Sequence, residues 1–274
     1  MGKNVIIIGG GPAGVSASLY TVRAGIDTTL IVHGESALDK AESIENFYGF
    51  PGGISGAELK EKGLEQARGL GANIIEEEVV GLAFEEKLTV KTQGADGVVK
   101  RPADAIIIAM GSQRKAPDIP GIKEFEGRGV SYCAVCDGFF YRGKTVAVLG
   151  SGDYADSEAA ELEPLAETVI KLDDIDQIAG FSGDQKIERV DFKDGSSQEI
   201  DGLFIAYGTA GPGDLAKKIG IMTEGSKLIV NEEMATNVPG IYAAGDCTGG
   251  LLQVSKAVAD GAVAATSAIK FLRG

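Results

Sequence analysis

The sequence predicts an α/β fold. Three observations carry that expectation: an apolar run at residues 4–8 leading into a glycine cluster and a helical period, the same order repeated from residue 146, and 40 glycines in 274 residues. That glycine share is about twice the ordinary one of roughly 7%. It points to many tight turns or close approaches between backbone and ligand.

Taken in order, Val5-Ile6-Ile7-Ile8 reads as the apolar part of a short strand, residues 12–24 as a helix ended by Gly25, and Thr28–Val32 as a β-branched second strand. Between the first strand and the helix lies Gly9-Gly10-Gly11-Pro12-Ala13-Gly14, a G-x-G-x-x-G. In such a loop the first glycine permits the sharp turn, the second lets backbone approach a pyrophosphate, and the third allows close helix–strand packing. The helix N-terminus adds unpaired N–H groups for the anion. An acid for the ribose is expected about twenty residues on, and Glu35 lies 21 beyond Gly14. The context of strand, glycines, helix, strand and acid reads as a Rossmann-type dinucleotide site.

A second unit starts with Val146–Leu149 and Gly150-Ser151-Gly152-Asp153-Tyr154-Ala155, a G-x-G-x-x-A. Two such units suggest a flavoprotein, one unit for FAD and one for a nicotinamide cofactor. The second unit has lost features. Its next strand, Thr168–Leu172, runs into Asp173-Asp174-Ile175-Asp176, and no Arg occurs between Arg142 and Arg189 to meet a 2′-phosphate. Residues 145–201 hold fifteen acids and four bases, so −11 of the chain's net −14 sits here. NADPH is therefore disfavoured. For NADH, Asp173 or Asp174 is a possible ribose acid, whereas Tyr154 is expected to put a ring inside the glycine loop. The stretch from Asp173 to Ile187 is too short for another full helix and strand. Retained nucleotide binding and a purely structural turn both stay open for these glycines. Further strand-like runs are Leu203–Tyr207 and Leu228–Val230.

Composition excludes several classes. A net charge of −14 with pI near 4.6 argues against a nucleic-acid binder, which needs clustered Lys and Arg. Lys3 before Val5–Ile8 resembles a signal peptide, but Gly9–Pro12 interrupts its apolar stretch. No run approaches a membrane span of about eighteen apolar residues. A cytoplasmic location is the expectation. The single histidine, His33, sits at a strand end and reads as flavin-adjacent, surface or satisfied core. Cys133-Ala134-Val135-Cys136 with adjacent Asp137 is a C-x-x-C suited to cycling between dithiol and disulfide. Without a second Cys pair or a His partner it makes a poor zinc site, and no metal site is expected. Cys247 reads as a small buried hydrophobe rather than a redox thiol.

Nearly end to end, the chain resembles the low-molecular-weight thioredoxin reductases. The matching segments are Val5–Ser16, Ile44–Phe47, Ala109-Met110-Gly111, Gly127–Lys144, Thr236–Asp246 and the helix at Gln253. Where that family carries an Arg pair for NADPH, this chain has Asp174 and Ile175. It therefore looks like the ferredoxin-dependent flavin thioredoxin reductases, a branch independent of pyridine nucleotide. Leu252 also stands where the family has an Arg.

The resemblance implies two Rossmann-like domains, the second inserted into the first and shortened. An FAD domain would be formed by residues 1–112 and 236–274, and a redox domain by 113–235. It implies a homodimer, and FAD held by Gly9, Gly11, Pro12, Ala13, Gly14, Glu35, Asn46, Ala109, Gly111, Gly245, Asp246 and Gln253. A helix starting near Leu251 would, with Gln253, favour negative charge on the flavin N1–C2=O. Cys136 would exchange electrons with the flavin at C4a, Cys133 would attack thioredoxin's disulfide, and Asp137 would move protons.

Three functions follow as expectations: passage of electrons from ferredoxin through FAD to thioredoxin, an NADH-driven disulfide reductase, or a non-catalytic flavin module. Ferredoxins and thioredoxins are usually acidic. Their docking is expected toward residues 113–144, where six bases including Arg114 and Lys115 outnumber four acids, rather than on 145–201.

Overall fold

The structure, a computed structural model, describes residues 2–94, 97–111, 117–132, 134–207 and 211–274. The chain divides into two compact units, Met1–Gln113 with Gly211–Gly274, and Arg114–Ala210. Arg114 and Lys115 lie outside the described residues, as does Cys133.

The first unit opens with β1 (Asn4–Ile8), α1 (Pro12–Arg23), β2 (Asp27–Val32), α2 (Gly56–Leu70) and β3 (Asn73–Glu76). It continues through β4 (Glu78–Phe84), β5 (Leu88–Gly94), β6 (Gly97–Ala103) and β7 (Ala105–Ile108). The second unit holds β8 (Val130–Ser131), α3 (Ala134–Asp137), β9 (Thr145–Leu149), α4 (Asp153–Leu162) and β10 (Thr168–Leu172). Then come β11 (Ile178–Ser182), β12 (Arg189–Phe192), β13 (Ser197–Glu199) and β14 (Gly202–Ile205). The chain returns to the first unit with α5 (Pro212–Lys218), β15 (Thr223–Glu224), β16 (Lys227–Leu228), β17 (Ile241–Ala243) and α6 (Val254–Arg273).

In the first unit the strand order is β17-β7-β1-β2-β3, all parallel. A parallel sheet is covered on both faces, so its strands read as continuous apolar runs; Val5, Ile7, Leu30 and Ile106 to Ile108 are all fully buried. Helix α6 crosses α1 closely. Ser16 Oγ donates to the Val258 carbonyl at 2.8 Å, and a Cβ at Gly261 would lie 2.1 Å from the Ala13 carbonyl oxygen. The strand order reverses at β1, which makes the loop after β1 the switch point where such sheets bind ligands.

The antiparallel ladder β4-β5-β6 is a separate sheet of this unit. Asp104 ties it to β1: its carboxylate accepts from the Asn4 amide at 3.0 Å and from Lys87 Nζ at 2.7 Å.

The second unit carries β10-β9-β14-β8, again all parallel and switching at β9. The run from Asp173 to Ile187 holds only a 3-10 turn at Ile175–Gln177 and β11, which opens the antiparallel ladder β11-β12-β13. That agrees with a segment too short for another helix and strand.

Several expected details shift. The second boundary falls between residues 210 and 211, not near 235, because Leu215, Ala216 and Leu228 are buried with the first unit. The strand expected at Leu203–Tyr207 ends at Ile205, and that at Leu228–Val230 shrinks to Lys227–Leu228. Helix α6 begins at Val254 rather than near Leu251, since Gln253 is in extended backbone (φ −141°, ψ 150°).

Candidate functional site

The site of the first unit grows from the C-terminal ends of β1, β7 and β17. The amide of Gly9 donates to the Ile31 carbonyl, that of Ala109 to Ile8 and that of Ala244 to Ile108, each within 2.9 Å. These bonds bring Gly9, Ala109 and Gly245 to one rim. A Cβ at Gly9 would sit 2.3 Å from the Ala109 carbonyl oxygen, and one at Gly14 only 1.8 Å from the Gly9 carbonyl oxygen. Both glycines are required by packing. Gly11 is different: a Cβ there would meet nothing within 4 Å. It directly precedes Pro12 at the start of α1, with the amides of the first turn beside it. The loop thus keeps one side clear at the point where a pyrophosphate needs backbone approach, so these residues fit a dinucleotide.

Glu35 follows β2 on the exposed side of that rim, with Gly111 (φ +70°) past β7. Asp246 lies in a 3-10 turn, Gly245–Thr248. Burial pushes its carboxyl above the usual range; Lys256 opposes the shift and Asp260 reinforces it. Sequence reading missed the clamp behind this turn. Lys256 Nζ donates to the carbonyls of Gly245 and Gly249 at 3.1 and 2.6 Å, and pairs with buried Asp260 at 2.8 Å. Asp260 in turn accepts from the Gly245 amide at 3.1 Å. Spacing of four residues on α6 was the available signal.

Asn46 and Gln253, 207 residues apart, meet directly: Asn46 Nδ2 donates to Gln253 Oε1 at 2.8 Å. Gln253 makes no side-chain cap on α6. Cys247 is buried, its Sγ within 3.4 Å of the Ile108 and Ala244 carbonyls. Desolvation pushes its thiol up to about 12, in keeping with a packed rather than reactive cysteine. His33 is on the surface, 3.9 Å from Glu78.

In the second unit α3 holds the described part of the C-x-x-C. Cys136 lies in this single helical turn, and Asp137 ends it. The Asp137 carboxylate accepts from Ser131 Oγ at 2.6 Å. Below it Tyr141 packs edge-on against Phe204, centroids 5.3 Å apart. Burial raises the Tyr141 phenol, and the charges of Asp137 and Asp201 add to the rise. Arg142 lies over the exposed ring of Phe139 at 5.1 Å.

The second glycine loop keeps the first loop's backbone logic. A Cβ at Gly150 would collide with the Ala206 carbonyl oxygen at 2.0 Å, while Gly152 faces open space at φ +84°. Tyr154 corrects the sequence reading. It is 2% exposed and lies on the inward stripe of α4 with Ala155, Glu158, Ala159 and Leu162, so its ring fills core instead of the loop. Beyond β10, the Asp174 carboxylate accepts from the Asp176 amide at 3.1 Å. Lys171 pairs with Asp156 at 2.6 Å, and that hydrogen bond raises its ammonium pKa.

The family model of pyridine nucleotide-disulphide oxidoreductases matches residues 3–182 and 170–261. The chain is 36% identical to a thioredoxin reductase of Aquifex aeolicus, over 99% of this chain and 94% of that one. Among solved structures, the atypical thioredoxin reductase TRi of Desulfovibrio vulgaris Hildenborough superposes with a TM-score of 0.89 at 37% identity, covering 99% and 98% of the two chains. A ferredoxin-flavin thioredoxin reductase from Clostridium acetobutylicum gives 0.72 at 34%, covering 98% of each. With two glycine loops on parallel sheets and relatives of this identity along almost its whole length, the chain belongs to the pyridine nucleotide-disulphide oxidoreductases, as an FAD-dependent disulfide reductase of the thioredoxin reductase family.

Proposed function

We propose that this reductase takes its electrons from reduced ferredoxin and passes them, through FAD and a Cys133–Cys136 disulfide, to thioredoxin. The observation that carries the choice of donor is the end of β10. The only base between Lys144 and Lys186 is Lys171, and it is already paired with Asp156, while Asp173, Asp174 and Asp176 follow. A 2′-phosphate brought here meets uncompensated like charge. The Clostridium acetobutylicum relative is named for ferredoxin and flavin, which supports the same reading.

FAD, when bound, supplies a group able to collect single electrons and hand on a pair. Gly11 and the first turn of α1 would hold its diphosphate, Glu35 its adenosine ribose and Asp246 its ribityl hydroxyls. Asn46 holds Gln253 oriented at the start of α6, where unpaired amides favour negative charge. In the reduced protein the Cys133 thiolate attacks thioredoxin's disulfide. A mixed disulfide forms and one thioredoxin thiolate leaves. Cys136 then attacks Cys133, closing the Cys133–Cys136 disulfide and releasing the second thiolate. Asp137, its carboxylate oriented by Ser131, moves protons to and from these thiols. The partners dock toward residues 113–144, and the protein works as a cytoplasmic homodimer.

The deciding experiment is anaerobic stopped-flow reduction of the purified yellow protein by ferredoxin, NADH and NADPH in parallel. Ferredoxin should bleach the flavin rapidly and NADPH should not; rapid bleaching by NADPH would overturn the proposal. Cys136→Ser should lose at least a thousandfold in thioredoxin reduction and keep its FAD. A second reading, reduction by NADH, is favoured by one observation, the intact backbone of the Gly150–Gly152 loop. Titration with NADH that leaves the flavin spectrum unchanged removes it.

A further inference from the structure

Helix α3 is a single turn, and one turn has too few internal hydrogen bonds to hold itself. Its support comes from α4. The amide of Ala134, between the two cysteines, donates at 2.8 Å to Glu158 Oε2. Ala134 is fully buried and Glu158 only 1% exposed. At the other end, Gly138 lies so close to the end of α4 and the turn after it that a Cβ there would be 3.1 Å from Leu162 and 3.2 Å from Leu165. A carboxylate this deeply buried needs hydrogen-bond partners, and here it serves the peptide that follows Cys133. Leu162, Ala159, Glu158, Ala155 and Tyr154 form one buried stripe, so α4 presents Glu158 at a fixed height against α3.

We propose that Glu158 is the positioning residue of the redox pair: by anchoring the Ala134 amide it keeps the C-x-x-C turn formed in the dithiol, so that ring closure to the disulfide is favoured. The proposal rests on Cys133 and Cys136 being the redox pair. Closing a loop whose backbone is already held loses less entropy than closing a free one. The anchor therefore raises the effective concentration of one thiol at the other. It also gives the second Rossmann-type helix a task that does not depend on a nucleotide.

The test is equilibration of the full-length, FAD-loaded protein with dithiothreitol. Two electrons and two protons pass from dithiothreitol to the Cys133–Cys136 disulfide, giving the dithiol and cyclic oxidised dithiothreitol. The two states are counted by acid quench, alkylation and mass spectrometry. Glu158→Gln keeps an acceptor oxygen at the same reach and should leave the exchange constant within twofold of wild type. Glu158→Ala loses the acceptor and Glu158→Asp shortens it by one methylene. Each should make the disulfide easier to reduce by fivefold or more.

A folded Ala or Asp variant within twofold of wild type overturns the proposal. So does a Gln variant shifted as far as the others. If Glu158→Ala fails to fold, the Gln and Asp pair decides alone. If the wild-type protein forms no dithiothreitol-reducible Cys133–Cys136 bond, the redox reading itself fails, which this assay registers separately.

Discussion

At the scale of single residues, the first glycine loop separates folding from binding. Gly14 has backbone 1.8 Å from where its Cβ would be, whereas Gly11 faces open space. Gly14→Ala should therefore yield little folded protein. Gly11→Ala should match the wild-type melting midpoint as apoprotein within about 2 °C, yet bind FAD at least tenfold more weakly by fluorescence titration. Cys247 allows a second prediction. With its thiol near 12, only ~10⁻⁴ of it is thiolate at pH 8. Iodoacetamide should label two cysteines of the reduced native protein and the third only in denaturant. The glycines were legible from sequence because a turn and a close approach each demand them. The meeting of Asn46 with Gln253 was not, since nothing local in either segment records a partner 207 residues away. Glu158 was also missed: in sequence it is one more acid in an acidic stretch, and only burial sets it apart.

At the scale of elements, the parallel strands were readable because burial on both faces leaves unbroken apolar runs such as Val5–Ile8 and Val146–Leu149. The ladder β4-β5-β6 was not. Its outer strand, Gly97–Ala103, is mostly exposed or half-exposed and carries Lys100, Arg101 and Pro102, so it lacks an apolar signature. Tyr154 was misplaced because loop position was read without helix period. The junction of β1, β5 and β7 supplies a pH prediction. The hydrogen bond from Lys87, opposed by burial and aided by the Asn4 amide, holds the Asp104 carboxyl below its usual range. A lowered folded value means that its stabilisation is present above about pH 4 and lost as pH falls through that lowered value. Asp104→Asn should melt below wild type at pH 7, and the gap should close progressively below pH 4 in calorimetric scans.

At the scale of the whole molecule, charge is partitioned along the chain, with −11 of −14 in residues 145–201 and +2 in 113–144. Salt weakens attraction and repulsion between exposed charges alike, so its sign reports which face meets an acidic partner. Docking toward 113–144 predicts that raising ionic strength from 50 to 300 mM increases the KM for thioredoxin severalfold; a falling KM would place docking on the acidic segment. Among the described residues no helix is long and apolar enough to cross a membrane. The insertion of one unit in the other also fixes an order of synthesis. Residues 114–210 form a continuous stretch, so a ribosome delivers that unit complete while the outer one still lacks β17 and α6. Until those last residues emerge, α1 has no α6 to bury Ala13 and Ala17, and β7 has an open edge where Ile241–Ala243 will pair. The first part of this protein to be made is the last to be finished, and its nascent N-terminal half is the segment for which a chaperone at the exit tunnel would have the most to hold.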